Sequence, residues 1–340
     1  MTCCFSPPAA LAQLPPETQP DIPIDAGTAA RILLKVSSAV REAYVFPDKA
    51  DGIAKAIEAH HAAEYGTFRS ARTLLDRMNA DLLNASHDRH LRVIYSARGL
   101  PPPKGDAVPE TPEERATRLA QDAAQNFGFV RVEILPGNIG YLDVRRFADP
   151  GDGGETAVAA MGFVSHAKAL IFDLRNNHGG DPGMIALVLS YLFDSPTHLN
   201  DIYWRPDGST GQFWTSGFVA GHRFTGDVYV LTSAETFSAG EEFSYDLQTL
   251  KRATIVGETT GGGAHPITIH RVDDHFVVLV PSGRAINPIT HTNWEGTGVS
   301  PDVRTTASRA LLTAQLSALT KLHAEEGLIA SVRKELDAVK

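Results

Sequence analysis

The stretch Asp227-Val228-Tyr229-Val230-Leu231-Thr232-Ser233-Ala234-Glu235-Thr236-Phe237-Ser238-Ala239-Gly240-Glu241-Glu242 reads as a buried strand, a sharp turn and a helix that starts at a serine. Ser238 then carries two readings. As a helix cap it needs only Glu241 three positions on, which makes a capping box with no chemistry attached. As a nucleophile it would stand at a helix start, among unpaired backbone N–H groups and at the positive end of the helix dipole. Taken alone the stretch favours the cap, and the rest of the chain has to decide.

Outward from this stretch the pattern alternates. Glu155 to His166 reads as a helix, Ala169 to Leu174 as a buried strand, Gly183 to Phe193 as a helix and His198 to Trp204 as a strand. Ala253 to Val256 follows as another strand. Two hairpins frame the series: Phe129–Leu135 with Ile139–Val144 across Pro136-Gly137-Asn138, and Ile267–Val272 with Phe276–Val280. Strands alternating with helices predict an α/β core over residues 128–305, and the added hairpins separate it from a simple doubly wound sheet. Before it, residues 25–95 predict three helices and a strand. Ile32, Leu33, Val36, Val40 and Ala43 recur at helical spacing, then Ile53, Ala56, Ile57 and His60, then Leu74, Leu75, Met78, Leu82 and Ala85 behind a Ser70 cap. Residues 96–127 predict a linker with Pro101-Pro102-Pro103 and one helix started by Thr111-Pro112-Glu113-Glu114. Residues 306–340 predict a single C-terminal helix, and residues 1–24 a proline-rich tail.

Composition narrows the class. With 43% hydrophobic and 21% charged residues in 340, the chain has the make-up of an ordinary globular protein. Its formal net charge of -9 argues against nucleic acid or an anionic membrane as the main partner. No apolar run reaches the length of a membrane span. The two cysteines, Cys3 and Cys4, are adjacent in the tail, which leaves no disulfide framework, zinc site or cysteine nucleophile in the core. No glycine-rich phosphate loop follows a strand, so no nucleotide cofactor is expected. Localisation stays conditional. If Ala10-Leu11-Ala12 ends a degenerate signal peptide the chain is periplasmic or secreted, and otherwise cytoplasmic.

Four places can carry chemistry. Ser238 is the first. The second is Asp173-Leu174-Arg175-Asn176-Asn177-His178-Gly179-Gly180-Asp181-Pro182, a plain turn or else one that aims a backbone N–H at a developing oxyanion. His90, beside Asp88 at the mouth of a strand, is the third and a candidate general base, one of 13 histidines. The fourth is Glu295 in Asn293-Trp294-Glu295-Gly296-Thr297-Gly298, a solvated loop residue or a group that orients the base.

The run Thr236 to Phe243, continued through Lys251 to Pro266, resembles the signature of the tail-specific (C-terminal processing) serine peptidases, nearest their interphotoreceptor-retinoid-binding-protein-like and tricorn-core-like branches. Asp173 to Gly180 resembles their Asp-Leu-Arg-x-Asn-x-Gly-Gly segment and Glu295 to Asp302 their Glu-Gly-x-Gly-Val-x-Pro-Asp segment. Tyr44-Val45-Phe46-Pro47 and Ser86 to Leu91 match the N-terminal region, so the resemblance runs over residues 28–305. It implies a crotonase-like (ClpP-like) β/α core preceded by an N-terminal helical-bundle domain. Residues 96–128 leave room only for a linker and a helix, so an inserted PDZ domain is not expected.

The family uses two kinds of base. Where one branch has a lysine after the nucleophile this chain has Gly263, and Thr259 to His265 contains no lysine. The resemblance therefore implies the other set: Ser238 as nucleophile, His90 as base and Glu295 to hold its tautomer. The N–H groups of Ala239 and Gly180 would form the oxyanion hole, each worth about 3 kcal/mol in the barrier. Ser86, as a hydroxyl relay from Glu295 to His90, and Gly179 support the set, and His265 is the rival base. The implied partner is a peptide or protein substrate, with no metal or cofactor. The alternative is a carrier of retinoid or fatty acid on the same fold. Oligomeric state and cleavage preference are not encoded in any motif.

Overall fold

A computed structural model describes residues 19–59, 64–100 and 112–339. The cysteine-bearing tail, His60, the triple proline and the Thr111 cap lie outside the described residues, as does the side chain of Glu114. In chain order the elements begin with α1 (Ala26–Ala43), α2 (Pro47–Ala59), α3 (Ala71–Ser86), β1 (Arg92–Tyr95), α4 (Pro112–Ala124), β2 (Phe129–Leu135) and β3 (Ile139–Val144). Next come α5 (Pro150–Phe163), β4 (Ala169–Asp173), α6 (Pro182–Leu189), β5 (His198–Trp204), β6 (Thr210–Trp214), β7 (Asp227–Thr232) and α7 (Ala239–Thr249). The chain closes with β8 (Thr254–Gly257), β9 (Ile267–Arg271), β10 (Phe276–Pro281), β11 (Gly283–Ile286), β12 (Val303–Arg304), α8 (Ala307–Lys321) and α9 (Glu326–Ala338). Two compact units result. The first holds the described residues up to Arg118 with Ile202–Gly211 and His265–Ala285, and the second holds Leu119–Asp201, Gln212–Ala264 and Ile286–Lys340.

In the first unit, α1 starts where the Asp25 carboxylate accepts the Thr28 N–H at 2.6 Å. It buries Ile32, Leu33, Val36 and Val40 on one face. Its last carbonyls meet a guanidinium: Arg205 donates to Tyr44 O at 2.5 Å and to Arg41 O at 3.0 Å. Ser70 caps α3 through the Thr73 N–H at 3.2 Å, and His87, at φ 57, ends it. The hairpin β9–β10 belongs here although it is far away in sequence, because β10 lies between β9 and β1, antiparallel to both. Val278 and Val280 enter the same core as Val36 and Leu82.

The second unit is built on a six-stranded sheet of order β12-β8-β7-β4-β3-β2, parallel from β12 to β3 and antiparallel at β2. Alternation within each strand feeds two cores. Leu170, Phe172, Val228 and Val230 pack with residues of α5, α6 and α7, while Ile171, Tyr229 and Leu231 pack with Ala310, Ala314 and Leu319 of α8. Burying side chains of this size contributes about 1.5–3 kcal/mol each. Helices on both faces of a mostly parallel sheet give the crotonase-like core that the resemblance implies.

Local departures have local causes. The C-terminal helix is two helices, because the chain turns at His323 (φ 51) before α9. The α5 helix starts five residues earlier than the periodicity suggests, where the Asp149 carboxylate accepts the Gly151 N–H at 2.7 Å and Pro150 fills the first turn. β6 lies in a stretch whose sequence reads as loop, and it pairs with β5 in a third sheet, β11-β5-β6.

Candidate active site

The strand β7 delivers the chain to a turn that is locked before the helix begins. Thr236 Oγ1 donates to Leu174 O at 2.8 Å and accepts the Ser233 N–H at 3.0 Å, and Phe237 N–H donates to Asn177 O at 2.9 Å. Ser238 then sits at φ 55, ψ −121, outside the left-handed helical well that non-glycine residues with positive φ usually occupy. By position Ser238 and Glu241 form a capping box, but the two halves differ. Glu241 Oε2 accepts the Ser238 N–H at 2.9 Å, whereas the Glu241 N–H is shared with the Ser238 carbonyl at 2.8 Å.

That arrangement sorts the donors at the start of α7. The N–H groups of Ser238, Gly240, Glu241 and Glu242 are all engaged, by Glu241 Oε2, Phe237 O and, twice, Ser238 O. Among the described residues the Ala239 N–H meets no acceptor, and neither does that of Gly180. The turn after β4 lies against the serine. A Cβ on Gly179, whose φ is +107, would fall 2.8 Å from Ser238 Cβ and 3.3 Å from Ala239 N. Gly180 is equally constrained, since a Cβ there would fall 1.9 Å from Phe147 O. Asn177, buried, holds this turn: its Oδ1 accepts Gly179 N–H at 2.9 Å and its Nδ2 donates to Val144 O at 2.9 Å. Asn177 lies inside the quoted motif, yet neither its chemistry nor its spacing marks it as the residue that joins the two turns.

Glu295 belongs to the same unit. Its Oε2 accepts the Ala264 N–H at 2.6 Å, and the neighbouring Trp294 Nε1 donates to Gly263 O at 2.7 Å. The second unit thus brings together Ser238, Ala239, Gly179 and Gly180, with Glu295 fixed on the strap Thr260–Ala264.

Ser86, His90 and His265 belong to the first unit. Ser86 Oγ donates to Leu82 O at 2.7 Å and accepts the Asp88 N–H at 3.0 Å, which is turn chemistry at the end of α3. Asp88 is buried, accepts the His90 N–H at 3.0 Å and shares a 2.7 Å hydrogen bond with His265 Nδ1. Its carboxylate is 3.9 Å from His90 Nδ1, beyond hydrogen-bond range. The His90 side chain is only 14% exposed, and burial pushes its pKa down to about 4, against the opposing pull of Asp88. The imidazole is therefore neutral at pH 7, the form a general base requires.

The turn between β7 and α7 thus presents a serine at positive φ beside N–H groups that meet no acceptor among the described residues. Comparison with known proteins gives the family. The family described as "Peptidase family S41" matches residues 138–305, and the "N-terminal domain of Peptidase_S41 in eukaryotic IRBP" matches residues 27–135. The chain belongs to peptidase family S41, a family of serine-type peptidases. It is 27% identical over 277 residues to carboxyl-terminal-processing peptidase 2, chloroplastic, of Arabidopsis thaliana, covering 76% of this chain and 51% of the relative. The chain thus spans about half the length of that curated relative. Two solved structures share the fold. A putative peptidase from Parabacteroides merdae superposes with TM-score 0.58 at 17% identity, over 82% of this chain and 90% of that one. The photosystem II D1 C-terminal processing protease superposes with TM-score 0.51 at 18% identity, over 88% and 98%.

Proposed function

We propose that the chain hydrolyses peptide bonds through an acyl-enzyme formed on Ser238. Ser238 Oγ bonds to the substrate carbonyl carbon while His90 takes the hydroxyl proton. The Ala239 and Gly180 N–H groups receive the oxyanion. Collapse of the tetrahedral species breaks the C–N bond, and the leaving amine takes the proton from His90. Water, deprotonated by the same histidine, then releases the acid and restores the serine. Glu295 holds the imidazole in the tautomer that accepts from serine. The substrate class is an unfolded tail or short peptide, a reading supported by the carboxyl-terminal processing named for the relative.

The observation that carries the proposal is the backbone of Ser238. A capping serine needs no φ of 55 and ψ of −121. The reading asks that His90, from the first unit, serve Ser238, from the second, during turnover. His265 is the competing base, supported by its 2.7 Å bond to Asp88, which resembles the carboxylate–histidine pair of a triad.

A fluorophosphonate probe tests both points. Wild type is expected to be labelled and Ser238→Ala not, and equal labelling of the two would remove the nucleophile. His90→Ala should abolish labelling. Retention there with loss in His265→Ala would transfer the base to His265.

A further inference from the structure

Glu241 is the third residue of α7 and is completely buried. A buried carboxylate is tolerated only where donors replace water, and this one has four. Oε1 accepts from Thr260 Oγ1 at 2.5 Å and Gly262 N at 2.6 Å, and Oε2 accepts from Gly263 N at 2.8 Å and Ser238 N at 2.9 Å. Burial raises the pKa of this carboxyl, and the same four donors pull the other way. The ionised form accepts from all four. One donor belongs to the nucleophile. The other three belong to the strap Thr260–Ala264, whose opposite side is held by the Glu295 loop. There Thr260 Oγ1 accepts the Val299 N–H at 2.7 Å, Gly262 O accepts the Gly296 N–H at 3.0 Å, and Ala264 N–H donates to Glu295 Oε2 at 2.6 Å.

The strap is therefore a short rigid spacer between the serine and the glutamate. Glu241 joins it to one, and the Ala264 N–H to the other.

We infer that Glu241 is a positioning residue of the peptidase: its carboxylate holds Ser238 in its positive-φ conformation and fixes the strap that carries Glu295. The inference rests on the reading of Ser238 as nucleophile. Glu241 touches no reacting atom and acts through the Ser238 backbone and the strap. It also removes the Ser238 N–H from the start of α7, which leaves the Ala239 N–H as the donor presented there.

The test is the second-order rate of fluorophosphonate labelling per folded molecule. Glu241→Gln has the same shape but turns an NH2 toward N–H donors. It is expected to label at least 30-fold more slowly, on the order of one displaced donor at a reacting centre. Binding of a short peptide on a Ser238→Ala background should stay within about twofold, since Glu241 bonds to the strap and the serine backbone and not to substrate. Thr260→Val removes one donor to Oε1 and should slow labelling less, while Thr260→Ser, which keeps the hydroxyl, should restore most of the rate. Glu241→Gln with Thr260→Val should be no slower than Glu241→Gln alone, because both act through one strap. Labelling of Glu241→Gln at the wild-type rate overturns the inference. If that variant does not fold, equal rates for Thr260→Val and wild type overturn it instead. Failure of the nucleophile reading looks different, because wild type would then go unlabelled or Ser238→Ala would be labelled equally.

Discussion

Ser238 holds a backbone conformation that costs a non-glycine residue about 1–3 kcal/mol, and it persists because its neighbours over-determine it. Gly179 is one of those neighbours. Gly179→Ala would place a methyl 2.8 Å from Ser238 Cβ at a φ of +107, so both clash and strain oppose it. The expected result is a loss of about 1–3 kcal/mol in stability and roughly 100-fold slower labelling, read by chemical denaturation and probe kinetics. His90 gives a pH prediction. Its folded pKa is lowered to about 4, so if it is the base, the acid limb of kcat/KM falls near pH 4 and not near 6.5. The stability sign follows. The unfolded chain protonates this histidine first, so its contribution is lost as pH falls from 6.5 toward 4. The motif that marks Ser238 is legible in the sequence, but its φ is not, because a serine before Glu241 satisfies a capping pattern just as well. Glu241 reads only as a cap for the same reason: three of its four donors lie about 20 residues away.

Helix α7 carries a second pair of acids, one turn apart. Glu242 and Asp246 are buried toward Asn200 and Asn287, where Asn287 Nδ2 donates to Asp246 Oδ1 at 3.2 Å. Burial raises both carboxyls above their usual range, and for Asp246 the charge of Glu242 adds to the rise. Raised acids bind more protons folded than unfolded, so their contribution is complete below about pH 4 and declines as pH rises through neutrality. Asp246→Asn is expected to flatten that decline by up to about 1.4 kcal/mol per pH unit, measured by urea unfolding from pH 5 to 8. An unchanged slope would mean the pair is not what titrates. The sequence shows such elements unevenly. The strands β4 and β7 are continuous apolar runs and are legible as strands. The strands β6, β11 and β12 are short and polar enough to pass for loop, and only pairing partners elsewhere in the chain define them.

At the scale of the molecule, the sequence suggests blocks in order, helices and then an α/β core. The chain instead returns to its first unit twice, at Ile202–Gly211 and His265–Ala285. Local periodicity carries no information on such returns, since β10 has the same alternation wherever it pairs. Residues 19–118 alone are expected to remain unfolded by circular dichroism, because β1 would lack β10 and the core would lack Val272, Phe276, Val278 and Val280. A folded fragment would show that the three helices suffice. Among the described residues no helix is long and apolar enough to cross a membrane.

The late hairpin has a consequence for biosynthesis. A ribosome adding about 5–20 residues per second needs roughly 10–30 s to travel from residue 118 to residue 285. Over that interval α1, α2 and α3 exist without the strands that complete their core. The Ser238 turn is translated before the hairpin too, and β12 of the second unit follows only at Val303–Arg304. On the mechanism proposed here, no peptidase is assembled until the ribosome has passed residue 285.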